Sequence, residues 1–421
     1  MRTHFVDKLL ARLDGEVASI WITIAVCVDK APAVQPMREM LVALHRSTPR
    51  LHAIWSEPQG CWRPGRHTDA TLAASLEVSE EPMSRADHMS RLIARRIDLT
   101  RGEPEDLGFI VGMHALVDGR TLVTFQLHHA LGDARSLGLL LRRMFGSDPP
   151  NVHGDTSPQR PRMQPASVLL GAARHARASL SVARARTRML SARGVALRRD
   201  ADEVGAPQVR CAAFELDGGP REHAGWFYAA LAHTAAQWTD AASGLVRLRV
   251  PIDLSERFAF GGPPSNTCIT VPLELDVARL RGAESGADTH AYVRAELRRL
   301  VARGAVWPAL LETLALSRVA TQGRLRAGAR PGLLAARRTN TMVATYVGAL
   351  DRYFVDAPFG VTSAVGHTPT WGASAFTLGG RLVVNVSAFE GLWSPETLAR
   401  FSNDMSRWLV VQGARPVEQG P

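Results

Sequence analysis

Gln126-Leu127-His128-His129-Ala130-Leu131-Gly132-Asp133 is the stretch on which the reading of this chain turns. The residues before it, Thr121 to Leu127, are β-branched, aromatic and apolar, and predict a buried strand. The residues after it, Asp133 to Ser136, open a helical pattern that continues to Met144, with Asp133 in the place of an N-cap. Two adjacent histidines therefore stand where a strand leaves its sheet, a rigid base from which loop residues do chemistry. Neighbouring strand positions face opposite ways, so the two side chains are expected to have different roles. Neutral imidazole, with an ordinary pKa of about 6.5, suits the removal of a proton near neutral pH.

Further out, Leu107 to Leu116 and Arg120 to Leu127 read as a hairpin turning at Asp118-Gly119. His114 stands four residues before Asp118, the same spacing as His129 to Asp133. Because that Asp belongs to the turn and no histidine precedes His114, His114 reads as structural. Val17 to Val28 predicts a buried strand and Met37 to His45 a helix, ending near Pro49. Gly146 to Gln164 is rich in Pro, Gly and Ser and marks a boundary. Beyond it, Val168 to Leu190 has helical spacing, with Leu169, Ala173 and Ala176 along an apolar side and Arg174, Arg177, Arg184 and Arg188 along another. From Gln208 onward strands and helices alternate again. Strands are expected at Gly244–Pro251, Cys268–Leu275, Asn340–Val347 and Arg381–Val386, and helices at His223–Trp238, Thr289–Arg303 and Pro395–Val411. The chain thus predicts two α/β units, 1–150 and 206–421, joined by a basic crossover over 151–205.

Composition narrows the class. With 421 residues, 46% apolar and 21% charged, the chain is an ordinary globular protein. Its net charge of +10 resides between Asp155 and Asp200, where ten arginines and no acidic residue occur. That segment is either a solvated face or a docking face for an anionic partner, such as phosphates, an acidic carrier protein or a membrane surface touched through residues 160–199. Nucleic acid is not expected, because no nucleic-acid motif accompanies the arginines. Four scattered cysteines, a charged N-terminus and no apolar run long enough to span a bilayer predict a cytoplasmic protein. There is no G-x-S-x-G elbow, P-loop, G-x-G-x-x-G or zinc-ligand cluster, so no metal is expected.

The stretch 126–133 resembles the HHxxxD motif of the acyltransferase superfamily that contains chloramphenicol acetyltransferase, peptide-synthetase condensation domains, and bacterial wax ester and polyketide-associated acyltransferases. Weaker likenesses follow in order along the chain: Leu41 to Trp55, Val250 to Phe258 followed by Asn266, Thr345-Tyr346-Val347-Gly348, and Gly379 to Trp408. The resemblance implies an α/β fold of two chloramphenicol-acetyltransferase-like lobes, each a mixed sheet with helices, set in a V around a central tunnel. It implies that His129 is the catalytic base, that His128, Gly132 and Asp133 support the motif, and that Arg257 pairs with Asp133. Asn266 and Tyr346 become candidates for substrate binding. The implied donor is an acyl thioester, on coenzyme A or on a phosphopantetheinyl carrier protein, with no tightly bound cofactor, and the implied acceptor is a hydroxyl or amine. A free-standing condensation enzyme joining two carrier-bound substrates is the second reading, and a non-catalytic binding protein the third. Two positions depart from the pattern: Ala134 replaces the usual glycine after the aspartate, and Tyr346 replaces an expected asparagine. The plant-type Asp-Phe-Gly-Trp-Gly signature is absent.

Overall fold

The computed structural model describes residues 5–13, 21–95, 97–101, 106–146, 165–174, 194–200, 209–218, 222–254, 266–302, 304–319, 342–367, 371–389 and 392–417. The expected hairpin forms its centre: β5 (Phe109–Leu116) and β6 (Thr121–His128) pair antiparallel, and Gly119 takes the positive φ (82°) that the turn demands. β1 (Trp21–Val28) pairs antiparallel with β6, with Trp21 opposite His128. β4 (Leu76–Met83) lies parallel to β5 at one edge, where Glu77, Glu80, Glu81 and Pro82 discourage further pairing. At the other edge stands β11 (Val361–His367), so the order is β11-β1-β6-β5-β4. The first sheet thus takes a strand from the far half of the chain, a contribution that no local pattern signalled. A short ribbon of β2 (Ile54–Ser56) and β3 (Cys61–Arg63) stands apart.

Alternation along β6 assigns each face a partner. Val123, Phe125 and Leu127 pack with Met37, Leu41 and Leu44 of α2 (Val34–Ser47) and with Leu137, Leu140 and Leu141 of α5 (Ala134–Phe145). Leu122, with Ala25 and Cys27, packs beneath Met89, Leu92 and Ile93 of α4 (Arg85–Ala94). The second sheet has the order β14-β7-β13-β12-β10-β8-β9. It comprises β7 (Val209–Gly218), β8 (Leu245–Asp253), β9 (Cys268–Asp276), β10 (Met342–Ala349), β12 (Gly372–Leu378), β13 (Arg381–Phe389) and β14 (Ala414–Pro416). α7 (His223–Gln237) is apolar nearly all round and is accordingly enclosed, with α9 (Gly286–Ala302) and α11 (Pro395–Val411) packed on it. Both sheets are mixed and carry helices, which is the α/β architecture expected.

A third, smaller core joins the two units. Val6 of α1 (Phe5–Leu13) and Val168 and Ala172 of α6 (Pro165–Arg174) meet Ile269 and Val271 of β9 and Trp307, Leu310 and Leu314 of α10 (Val306–Val319). Leu169 and Ala173, assigned to the apolar side of the basic helix, are exposed, and Val168 and Ala172 face inward instead. The inward face is set by Trp307: a Cβ on Gly171 would lie 2.3 Å from its ring, so only glycine lets the helix approach there. Arg177, Arg184 and Arg188 lie outside the described residues. Two further helices, α3 (Asp69–Ala73) and α8 (Val277–Arg281), are short.

Two buried histidines make the fold acid-sensitive. His45 on α2 is wholly enclosed, with Nε2 3.3 Å from the Ser75 hydroxyl, and burial pushes its pKa down to about 3. His114 on β5 shares a bond of 3.3 Å with the Thr124 hydroxyl and faces His88, and burial followed by that neighbour pushes it down to about 4. Both stay neutral in the fold while the unfolded chain protonates them near pH 6.5, so the unfolded state takes up more protons as pH falls. Stability is therefore full above about pH 6.5 and declines toward pH 4, by about 2 kcal/mol per histidine between pH 7 and pH 5. Urea midpoints at the two pH values measure this, and replacing His114 by Gln should shrink the difference.

Candidate active site

The strand ends at His128 because the chain turns on it. The His128 amide donates to Gly108 O (2.8 Å), its carbonyl accepts from Leu131 N (2.8 Å), and its Nδ1 accepts from Ala130 N (3.3 Å). The ring is 1% exposed and meets Trp21 edge-on, centroids 5.4 Å apart. These contacts hold the loop. Gly132 is buried within the same turn.

Asp133 ties this turn to the second unit. Its Oδ1 caps α5 by accepting from Ser136 N (2.9 Å), and its Oδ2 accepts from Thr267 N (2.6 Å), Thr267 Oγ1 (2.8 Å) and Cys268 N (3.1 Å). Four donors fill the lone-pair sites of one carboxylate that is 4% exposed. Arg257, the expected partner, lies outside the described residues. The described part of its segment reaches the motif differently: Asp253 at the end of β8 pairs with Arg135 on α5 at 2.5 Å. Both of these side chains are over 40% exposed, so the pair is worth at most about 1 kcal/mol. Ala134 is the first residue of α5, and no non-glycine among the described residues has a positive φ. Alanine at this position is therefore unstrained.

His129 projects from the end of the loop and is half-buried. Its Nδ1 lies 3.0 Å from Oδ1 of Asn266, the residue that introduces β9. The Asn266 amide nitrogen donates to His129 O (2.9 Å) and to Oδ1 of Asp7 on α1 (2.7 Å). Both of those partners are acceptors, so the amide has one orientation and its oxygen must face His129. An amide oxygen only accepts, which assigns the hydrogen of that bond to Nδ1. Nε2 then carries the lone pair, and it takes part in no hydrogen bond among the described residues. Burial lowers the His129 pKa, opposed chiefly by the carboxylate of Asp133 and by the bond to Asn266. The imidazole is thus neutral at pH 7 and basic at its free nitrogen.

Of the other candidates, Tyr346 lies on β10 and is engaged elsewhere. Its ring faces Phe227 at 6.5 Å, and it packs against the core of the second sheet. Asn266 is brought to His129; Tyr346 bonds to none of the motif residues among the described contacts. Thr267, Cys268, Asp7 and Arg50 were not singled out as site residues. Thr267 and Cys268 directly follow Asn266 and could have been reached from it, whereas Asp7 had no local signal. Burial pushes the Cys268 thiol well above its usual range, with the adjacent Asp133 adding to the effect, and burial takes Cys211 up to about 12. Both thiols are thus held in the protonated form, which is the less nucleophilic one. Among the described residues no group of three or more His, Cys, Asp or Glu could hold a metal ion, and no helix is long and apolar enough to cross a membrane.

No protein-family model and no curated protein sequence matches the chain. Solved structures do. The trichothecene 15-O-acetyltransferase TRI3 from Fusarium sporotrichioides aligns over 98% of this chain and 95% of its own, with a TM-score of 0.68 at 10% identity. The first condensation domain of the calcium-dependent antibiotic synthetase, in complex with a substrate analogue, aligns over 99% and 98%, with a TM-score of 0.61 at 16% identity. A double mutant of the starter condensation domain of rhizomide synthetase, in complex with C8-CoA and Leu-SNAC, aligns over 97% and 93%, with a TM-score of 0.60 at 12% identity. Over nearly its whole length the chain shares the fold of this acetyltransferase and these condensation domains.

Proposed function

We propose that the protein transfers an acyl group from a thioester donor to a hydroxyl or amine acceptor, with His129 as general base. The observation that carries this reading is the hydrogen-bonded pair His129–Asn266, which leaves Nε2 of a neutral imidazole free at the end of a rigid strand. In the reaction, Nε2 takes the proton of the acceptor as its oxygen or nitrogen attacks the thioester carbonyl. The tetrahedral oxyanion then collapses, the C–S bond breaks, and the leaving thiolate recovers the proton from Nε2. Ester or amide and free thiol result. No covalent acyl-enzyme is required, which fits the protonated, buried thiol of Cys268 beside the motif.

Asp133 acts through structure in this scheme: it docks the histidine loop on residues 267–268 and so keeps His129 opposite Asn266. The likeness to an O-acetyltransferase and to condensation domains, one of them holding C8-CoA, supports coenzyme A or a phosphopantetheinyl carrier as the donor's thiol. The arginines between residues 160 and 199 would serve either anionic donor.

The test is release of free thiol from a panel of acetyl- to hexadecanoyl-thioesters, each presented on coenzyme A and on a carrier protein, against alcohol and amine acceptors. Acceptor-dependent thiol release with formation of ester or amide supports the reading. Its absence across the panel, with a folded protein, favours a binding protein that has kept the fold. For an active pair, the acid limb of kcat/KM should have its midpoint below 6.5, because the base must be neutral and burial lowers its pKa. A midpoint above 6.5 would assign the proton transfer to another group.

A further inference from the structure

Asn266 is itself held by a buried ion pair that the reaction does not use. Asp7 is 0% exposed on α1; one of its carboxylate oxygens accepts from Asn266 Nδ2 at 2.7 Å and the other pairs with Arg50, whose side chain is 14% exposed. Arg50 lies in the single turn Pro49–His52 that follows α2. We infer that Asp7, fixed by Arg50, is a positioning residue that sets the tautomer of His129 through Asn266. The inference rests on the reading of His129 as base.

The direction of every bond in this chain of groups is dictated from its outer end. A guanidinium can only donate, and a carboxylate facing it can only accept. The amide of Asn266 must therefore turn its nitrogen to Asp7 and its oxygen to His129, and His129 must hold its hydrogen on Nδ1. An asparagine alone is symmetric enough to sit either way; reversed, it would donate to Nδ1 and move the imidazole hydrogen to Nε2, the atom needed as base. His129 O accepts from the same amide nitrogen at 2.9 Å and supplies a second, weaker restraint, because a carbonyl lacks the charge of Asp7.

The arrangement also explains why an N-terminal helix is docked across both units. Ala11 of α1 packs into the first core, Val6 into the third, and α1 lies against α10. Asp7 faces the seam between them. The four groups come from four separate places in the chain: α1, the turn after α2, the loop after β6, and the start of β9. The base has its working tautomer only when all four are assembled.

Histidine-selective 15N labelling of the full-length protein reads the tautomer without any substrate, and the His129 signal is identified by its loss in His129→Gln. In the wild type the Nδ1 resonance should be that of a protonated nitrogen and Nε2 that of a bare one. In Asp7→Asn the new side chain can both donate and accept, so a mixed tautomer is expected. With an active substrate pair, kcat should fall about 10- to 100-fold with KM within about twofold, the range for residues that orient another group. Arg50→Gln should mix the tautomers as well, and Arg50→Lys, which keeps a donor-only cation, should restore the wild-type pattern. If Asp7→Asn does not fold, the Arg50 pair decides. A folded Asp7→Asn with the wild-type tautomer, or identical spectra for Arg50→Gln and Arg50→Lys, overturns the inference. Neither result touches the assignment of His129, which is tested separately by thiol release from His129→Gln.

Discussion

Exchanging His129 for Gln is expected to lower acceptor-dependent thiol release by about 10²- to 10⁴-fold, the contribution of a positioned general base. Glutamine is the informative choice. Its amide can still donate to Asn266 Oδ1, so the second unit does not lose a partner, while the basic nitrogen disappears. Because His129 is only half-buried and supports no core contact, the melting temperature should stay close to that of the wild type. Loss of rate without loss of fold is the signature of chemistry removed. Release within about threefold of wild type would show that the acceptor's proton leaves by another route, and would also favour proximity alone as the source of any acceleration.

The alternative of a fold kept for binding alone meets specific resistance in the site. Ala134, one of the two departures from the motif's pattern, sits at the first position of a regular helix and is unstrained there. Asp133 with Thr267, and half-buried His129 with Asn266, form two adjacent hydrogen-bonded pairs that join the histidine loop to the residues before β9. Buried polar groups are costly unless satisfied, so such a set is expensive to maintain by accident.

What was legible in the sequence is what neighbours in the chain decide together. The strand, the paired histidines and the capping aspartate occupy thirteen consecutive positions, and their periodicities and cap chemistry resolve each other. The strand and helix runs of the second unit followed from the same local rules, and Pro395–Val411 forms as expected. Long-range pairing left no such mark. Asn266 was reached through resemblance, and its bond to Asp7 spans 259 positions, over which hydrophobic patterning carries no information. β11 is similar: Val361 to His367 mixes Gly, Ser and Thr with two valines, and it is a strand because β1 offers it an edge. The inward face of α6 was misread because a tryptophan more than a hundred residues away selects which small residue it will accept.

Asp133→Ala is the substitution with the largest expected effect on stability. It removes one side chain and strands four donors: Ser136 N, Thr267 N, Thr267 Oγ1 and Cys268 N. Ser136 N loses a helix cap worth about 1 kcal/mol. The Thr267 amide, buried at the junction, and the part-buried Cys268 amide each leave a donor without a partner at about 1–3 kcal/mol. Thr267 Oγ1 can rotate toward another acceptor and adds little. Together these give roughly 3–7 kcal/mol, read as a fall in the urea midpoint with unchanged slope. Activity should fall as well, for a distinct reason: the loop is no longer anchored to residues 267–268, and Asn266 immediately precedes them. Asp133→Asn separates the two effects. It keeps one oxygen for Ser136 N but turns an amide toward the donors of the second unit, so most of the junction is lost while the cap remains. If Asn and Ala cost the same and the cost is near 1 kcal/mol, Asp133 is only a helix cap, and the two units are held together by their apolar contacts alone.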